Sequence, residues 1–205
     1  MKKITKVYEG YQFDELDDAA KDRVRQWFAE GLDYEWWDCE FDNFAEDMSG
    51  FGVDVAPKSI EFSGFYSQGD GLCFSTDLWS SDIVKYLKAT KQTKKYWVLY
   101  LNLLRDNITL RYGISGNSRW GHSMSLEDSD LDIYSDRISD NDSACSKIYL
   151  MVDQLGEDII GFCRDKAHDL YRNLEEEYEY MLSDESISES CEANEYYFTE
   201  NGKLI

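Results

Sequence analysis

The sequence predicts an α+β fold: antiparallel β-hairpins and sheet packed against helices, with a long C-terminal helix and a terminal hairpin. Three observations carry this. Apolar residues recur at helical spacing through 17–31 and 33–50, and again over about forty residues at 144–182. Strict alternation appears in 107–114 and 120–126. Turn signals built on glycine, including Asp70-Gly71 and Asn201-Gly202, punctuate the remainder. With 205 residues, 42% of them apolar and 15% aromatic, the chain can bury a core and is no disordered polyanion. The pattern predicts a single domain over 1–205. Residues 1–140 would make the mixed core, and 141–205 a long helix, a short helix and a hairpin packing on it.

Taken in order, KITKVYEG reads as a first strand through Ile4, Val7 and Tyr8. DDAAKDRVRQWFAEG reads as a helix capped by Asp17 and closed at Gly31, with Ala20, Val24, Trp27 and Phe28 on one face. A second helix over 33–50 turns Trp37, Phe41, Phe44 and Met48 inward and ends at Gly50 or Gly52. SIEFSGFYS and LCFST read as hairpin arms across QGDG. Residues 80–97 read as a helix with Ile83, Val84 and Leu87 inward. YWVLYLNLL fits a buried helix or a buried strand equally. Ile108, Leu110, Tyr112 and Ile114 share one side of a strand. It pairs across the Asn117 turn with a second strand carrying His122, Met124 and Leu126. EDSDLDIYSDRISDNDS then reads as an acidic connector. The long helical pattern would span roughly 60 Å, with Gly156 and Gly161 as places to kink. Ser183 caps a shorter helix ending near Asn194, and YYFTENGKLI closes the chain as a hairpin.

The charge is lopsided: 42 acids against 21 bases give −21 at neutral pH. That surplus disfavours direct contact with nucleic acid or an anionic membrane and favours a basic protein partner. No run reaches the length of a membrane span, and the N-terminal lysines precede no signal-like apolar stretch. Five scattered cysteines without a C-x-x-C fit reduced thiols in a cytoplasm.

Local motifs supply no catalytic centre, metal site or cofactor. FSGFYSQGDGLCF lacks the G-K-[ST] of a P-loop and has Phe74 where a dinucleotide fingerprint wants glycine. Phe65, two residues before Ser67, denies it a nucleophile elbow. It reads as a hairpin whose tip presents Tyr66, Gln68 and Asp70. Asp128, Asp130 and Asp132 have calcium-like spacing, but Ile133 and Ser139 stand where an EF-hand needs glycine and glutamate. Cys163 and His168 are five apart on a helix and diverge. No lysine follows an acid by two positions, so the common nuclease D/E-x-K element is missing.

Charge patterning is the stronger signal. Residues 9–47 hold 14 acids and three bases, and 175–200 hold ten acids and no base. Helices with apolar inner faces can hold such carboxylates at fixed spacing and so imitate a phosphate backbone. The candidate contact residues are Asp33, Glu35, Asp38 and Asp42 on the second helix, with Tyr66, Gln68 and Asp70 at the hairpin tip. Lys85, Lys88, Lys91, Lys94 and Lys95 form the opposite feature, suited to the molecule's own acids or to a small anion.

YQFDELDDAAKDRVRQW, DYEWWDCEFDNF, IEFSGFYSQGDG and YEYMLSDESISESCEANEYYFTENGKL together resemble uncharacterised acidic proteins of tailed bacteriophages and prophages, some loosely labelled antitoxin-like. The blocks cover about half of the chain in the same order. The resemblance implies the cytoplasm of an infected bacterium and brings no catalytic residues. With the charge, it leads to the expectation of a non-enzymatic accessory protein. Such a protein would bind and inhibit a basic host defence factor: a nuclease, a CRISPR effector or a toxin. The alternatives are a carboxylate- and metal-dependent enzyme acting on nucleotides or nucleic acid, and a regulatory protein that oligomerises through its long helix.

Overall fold

A computed structural model describes residues 7, 9–32, 35–117, 125–134 and 143–205, with backbone alone at 117, 125, 128–130 and 143–145. Most of the expected first strand lies outside the described residues, as do His122 and Met124. In chain order the elements are α1 (Asp18–Gly31), α2 (Asp38–Gly50), β1 (Glu61–Ser63), β2 (Gly71–Cys73), β3 (Thr76–Trp79), α3 (Ser80–Ala89), α4 (Trp97–Leu104), β4 (Thr109–Asn117), β5 (Ser125–Tyr134), α5 (Ser143–Met181) and α6 (Asp184–Ala193). Single 3-10 turns occur at Phe13–Glu15 and Pro57–Ser59. The architecture is α+β with antiparallel sheets and a long C-terminal helix. The chain forms two compact units, one from 1–36 with 174–205 and the other from 37–173. Their borders do not coincide with a division near residue 140.

The first unit is built from both chain ends. The Asp17 carboxylate accepts the Ala20 N–H at 2.8 Å and starts α1. Ala20 and Val24 then pack with Ile187 and Cys191 of α6, and Phe13, Leu16 and Phe198 complete the cluster. Ser183 caps α6 by accepting the Ser186 N–H at 3.2 Å. Arg25 clamps Asp184 through two hydrogen bonds of 2.7 and 2.9 Å. The tail forms a short hairpin: Phe198 bridges to Leu204 on one side and to Tyr11 on the other. Trp27 departs from its expected inward place. It is 39% exposed, with edge-on ring contacts to Phe28 at 5.0 Å and Tyr196 at 5.7 Å.

The second unit holds both sheets. β1 and β2 pair antiparallel with Ser63 opposite Gly71, so the hairpin is closed by the loop 64–70 rather than a two-residue Asp-Gly turn. The other sheet runs β3-β4-β5, all antiparallel. Ile108, Leu110, Tyr112 and Ile114 are buried as the alternation requires. Three stretches differ from the sequence expectation. Thr76–Trp79 is a separate strand, paired with Arg111–Ile114. The expected acidic connector is β5 as far as Tyr134, which places Asp128, Asp130 and Asp132 in a ladder opposite β4 rather than in a loop. Arg111 offsets the charge there, pairing with Asp77 at 2.8 Å and Asp132 at 3.1 Å. The helix expected over 80–97 stops at Ala89, where Lys91 takes a left-handed turn (φ 60°) and the Gln92 N–H closes on the Leu87 carbonyl. The polar KQTKK segment has no apolar face to continue the helix, and the ambiguous stretch after it is helical α4. Tyr86, rather than Val84, completes the buried side of α3 with Ile83 and Leu87.

α5 is continuous through both glycines. Gly156 is the site of a close approach: a Cβ there would stand 2.9 Å from Cε1 of Tyr112. The buried Tyr112 hydroxyl donates a short hydrogen bond to the Val152 carbonyl, fixing the ring against the helix.

Candidate functional site

α2 is held by Phe41, Phe44 and Met48, all buried. Trp37, immediately before it, lies edge-on to Phe62 of β1 at 5.0 Å, and Phe41 meets the same ring at 6.0 Å. Phe62 continues to Phe65 at 5.9 Å, and Phe65 to Tyr66 at 6.3 Å and Tyr171 at 5.4 Å. A chain of aromatic rings thus connects the start of α2 to the hairpin loop, two places that the sequence singled out separately. The loop is well supported. Asp70 accepts the Ser67 N–H at 2.6 Å and the Ser63 hydroxyl at 3.4 Å, and Gly69 supplies the left-handed turn (φ 100°). The Tyr171 hydroxyl donates to the Gly64 carbonyl at 2.8 Å.

The candidate residues have different situations within this frame. Tyr66 is 72% exposed and Gln68 is exposed as well. Asp70 is half-buried, and its carboxylate is engaged in building the loop. Asp38 and Asp42 are exposed on α2, one turn apart, and Glu46 extends the row by another turn. The four-residue interval sets them about 6 Å apart along the axis. Among the described residues these three have no ion-pair partner, whereas Asp47 pairs with Lys166 at 3.0 Å. Glu46 is not among the contact residues expected from the sequence, although it is one of the acids of the same helix and its i+4 relation to Asp42 is visible there. Glu35 is exposed but belongs to the first unit, and Asp33 lies outside the described residues.

The lysine segment is divided. Lys85 donates to the Ser49 carbonyl at 2.5 Å. Lys95 pairs with Asp158 at 2.5 Å, and the Tyr96 hydroxyl donates to the same carboxylate at 2.8 Å. Burial pushes the Asp158 carboxyl up, but the hydrogen bonds from Lys95 and Tyr96 outweigh it and hold the group below the usual range. Burial pushes the Cys163 thiol up to about 12 and, with help from Asp14, Cys191 up to about 11, so neither is poised as a nucleophile. Among the described residues, no group of three or more His, Cys, Asp or Glu side chains converges to hold a metal ion. Nor is any helix there long and apolar enough to cross a membrane.

Fold and surface together define an acidic α+β protein whose outward chemistry on α2 and the 64–70 loop is carboxylate and aromatic. The chain belongs to the DUF8835 family, described as a domain of unknown function, which matches residues 36–184. The match takes in the whole second unit and stops at the first residue of α6. No curated protein and no solved structure matches the chain.

Proposed function

We propose that the protein is a non-enzymatic binding protein that engages a basic protein partner through the α2 carboxylate row and the 64–70 loop. The observation that carries this reading is the row itself. Like charges one turn apart cost a helix a few tenths of a kcal/mol each, about 0.2–0.5. Asp38, Asp42 and Glu46 keep that arrangement without a cation beside them among the described residues. Buried Phe41, Phe44 and Met48 fix the helix, so the backbone that presents the carboxylates has little entropy left to lose on binding. A cationic groove accustomed to phosphates would be steered toward such a surface, with a rate that falls as salt rises. Tyr66 supplies the aromatic contact that carboxylates alone lack. The resemblance to phage and prophage proteins supplies the setting. In that setting the partner is a host defence factor that handles nucleic acid, or a toxin, and binding inhibits it.

The test has two stages. The immobilised chain is passed through bacterial lysate, and the captured protein is purified and titrated by calorimetry. Reversing Asp38, Asp42 and Glu46 to lysine is expected to weaken binding at least about 100-fold, and Tyr66→Ala about tenfold. Unchanged circular dichroism would establish that both variants fold. Full affinity in the charge-reversed variant overturns the reading, as does turnover of a nucleotide or nucleic acid by the purified chain alone.

A further inference from the structure

α4 has the sequence WVLYLNLL, with no charged residue. A helix apolar on all sides is normally buried on all sides. Here Leu99 and Leu103 are buried, while Trp97, Val98 and Leu104 are 54%, 47% and 49% exposed. Trp97, Tyr100, Leu101 and Leu104 stand at i, i+3, i+4 and i+7, which places them on one face, opposite Leu99 and Leu103. The rings of Trp97 and Tyr100 stack at 6.1 Å with 28° between their planes, giving that face a flat aromatic end.

Bases bracket this helix on an otherwise acidic molecule. From Ile83 to Arg105 there are six bases and no acid. Lys94 precedes the helix and Arg105 caps its end. Lys88, Lys91, Lys94 and Arg105 have no ion-pair partner among the described residues, in contrast to Lys95, which is held by Asp158. Asp106 is the first acid beyond the helix.

We propose that the outward face of α4 docks an amphipathic helix of a partner protein, one whose apolar stripe is flanked by aspartate and glutamate. The i, i+3, i+4, i+7 spacing suits helix-against-helix packing, and the bases that bracket the helix select acidic flanks. A second copy meeting this face with its own would set lysines against lysines. An anionic bilayer would have to accept a chain of net charge −21. This docking is independent of the α2 surface: it uses other residues and takes a partner of opposite charge.

The test uses two fluorescein-labelled amphipathic peptides of about 18 residues, long enough to form helix on a surface. One carries leucine at helical spacing with glutamate elsewhere, and its twin carries lysine in place of glutamate. Anisotropy with the full chain is expected to show binding of the glutamate peptide. That binding should be lost in Trp97→Glu/Leu104→Glu and weakened about tenfold in Lys94→Glu/Arg105→Glu. Any binding of the lysine twin, which would engage acidic surface elsewhere, should be unchanged by the α4 substitutions. If the first double variant does not fold, the second, which alters two exposed side chains only, decides. The proposal is overturned if the glutamate peptide does not bind or keeps its affinity in the variants. It is equally overturned if light scattering shows a dimer that Trp97→Glu/Leu104→Glu dissociates, or if phosphatidylserine vesicles capture the chain through α4.

Discussion

At the scale of single residues, Gly156 and Gly161 should respond in opposite ways to the same added methyl group. Alanine at 156 would press on the Tyr112 ring, which cannot retreat because it is buried and its hydroxyl is tied to Val152. Alanine at 161 meets nothing within 4 Å. Urea unfolding is therefore expected to show Gly156→Ala destabilised by about 1–3 kcal/mol, and Gly161→Ala stabilised by about 0.5–1 kcal/mol. Thiol labelling gives a second check. Cys39 is exposed, whereas Cys73, Cys163 and Cys191 are buried with their thiols pushed up. Iodoacetamide at about pH 8 should label Cys39 in the native protein and reach those three only after denaturation, as read by mass spectrometry. Asp184 supplies the pH dependence. Hydrogen bonds from the Arg25 guanidinium hold its carboxyl below the usual range. A carboxyl lowered by folding contributes stability that is complete above its unfolded value, near about 3.9, and is lost as pH falls through the folded one. Stability should thus decline on acidification below about pH 4, and Asp184→Asn should flatten that decline. An unchanged slope would mean that the Arg25 pair contributes nothing.

Among the elements, the legible ones had their causes nearby. α1 and α6 carry their own caps, so Asp17→Ala and Ser183→Ala should each cost about 1 kcal/mol in chemical denaturation. β4 declares itself through Ile108, Leu110, Tyr112 and Ile114, and α5 through a long apolar repeat. The elements that were missed depend on partners distant in sequence. Thr76–Trp79 is a strand because β4 lies beside it; four residues contain too little pattern to say so. β5 reads as a charged loop until Arg111 of β4 is seen between Asp77 and Asp132. The gap between α3 and α4 was marked by KQTKK, yet charge alone does not separate an exposed helix from a turn. The hairpin 61–73 was recognised, but its loop is closed by the Asp70 carboxylate reaching back to the Ser67 N–H and the Ser63 hydroxyl, a local use of a side chain that the Asp-Gly turn signal does not encode.

Across the whole molecule, a net charge of −21 repels itself, so added salt should stabilise the fold while weakening association with a basic partner. The denaturation midpoint is expected to rise between about 0.05 and 0.5 M sodium chloride as the affinity falls; two curves moving together would contradict the electrostatic account. The acidic character was plain in the composition. Which acids stand ready and which are engaged was not: Asp42 and Asp47 are five residues apart on one helix, and only the fold brings Lys166 to the second. The composition of the first unit has a temporal consequence. Ala20 and Val24 leave the ribosome long before the side chains that cover them, Ile187, Cys191 and Phe198, are translated. The second unit, 37–173, can condense while synthesis continues, but α1 must wait with its apolar side bare until α6 and Phe198 emerge. Nascent chains stalled before Ile187 should therefore bring that side within reach of a chaperone, and released chains should withdraw it.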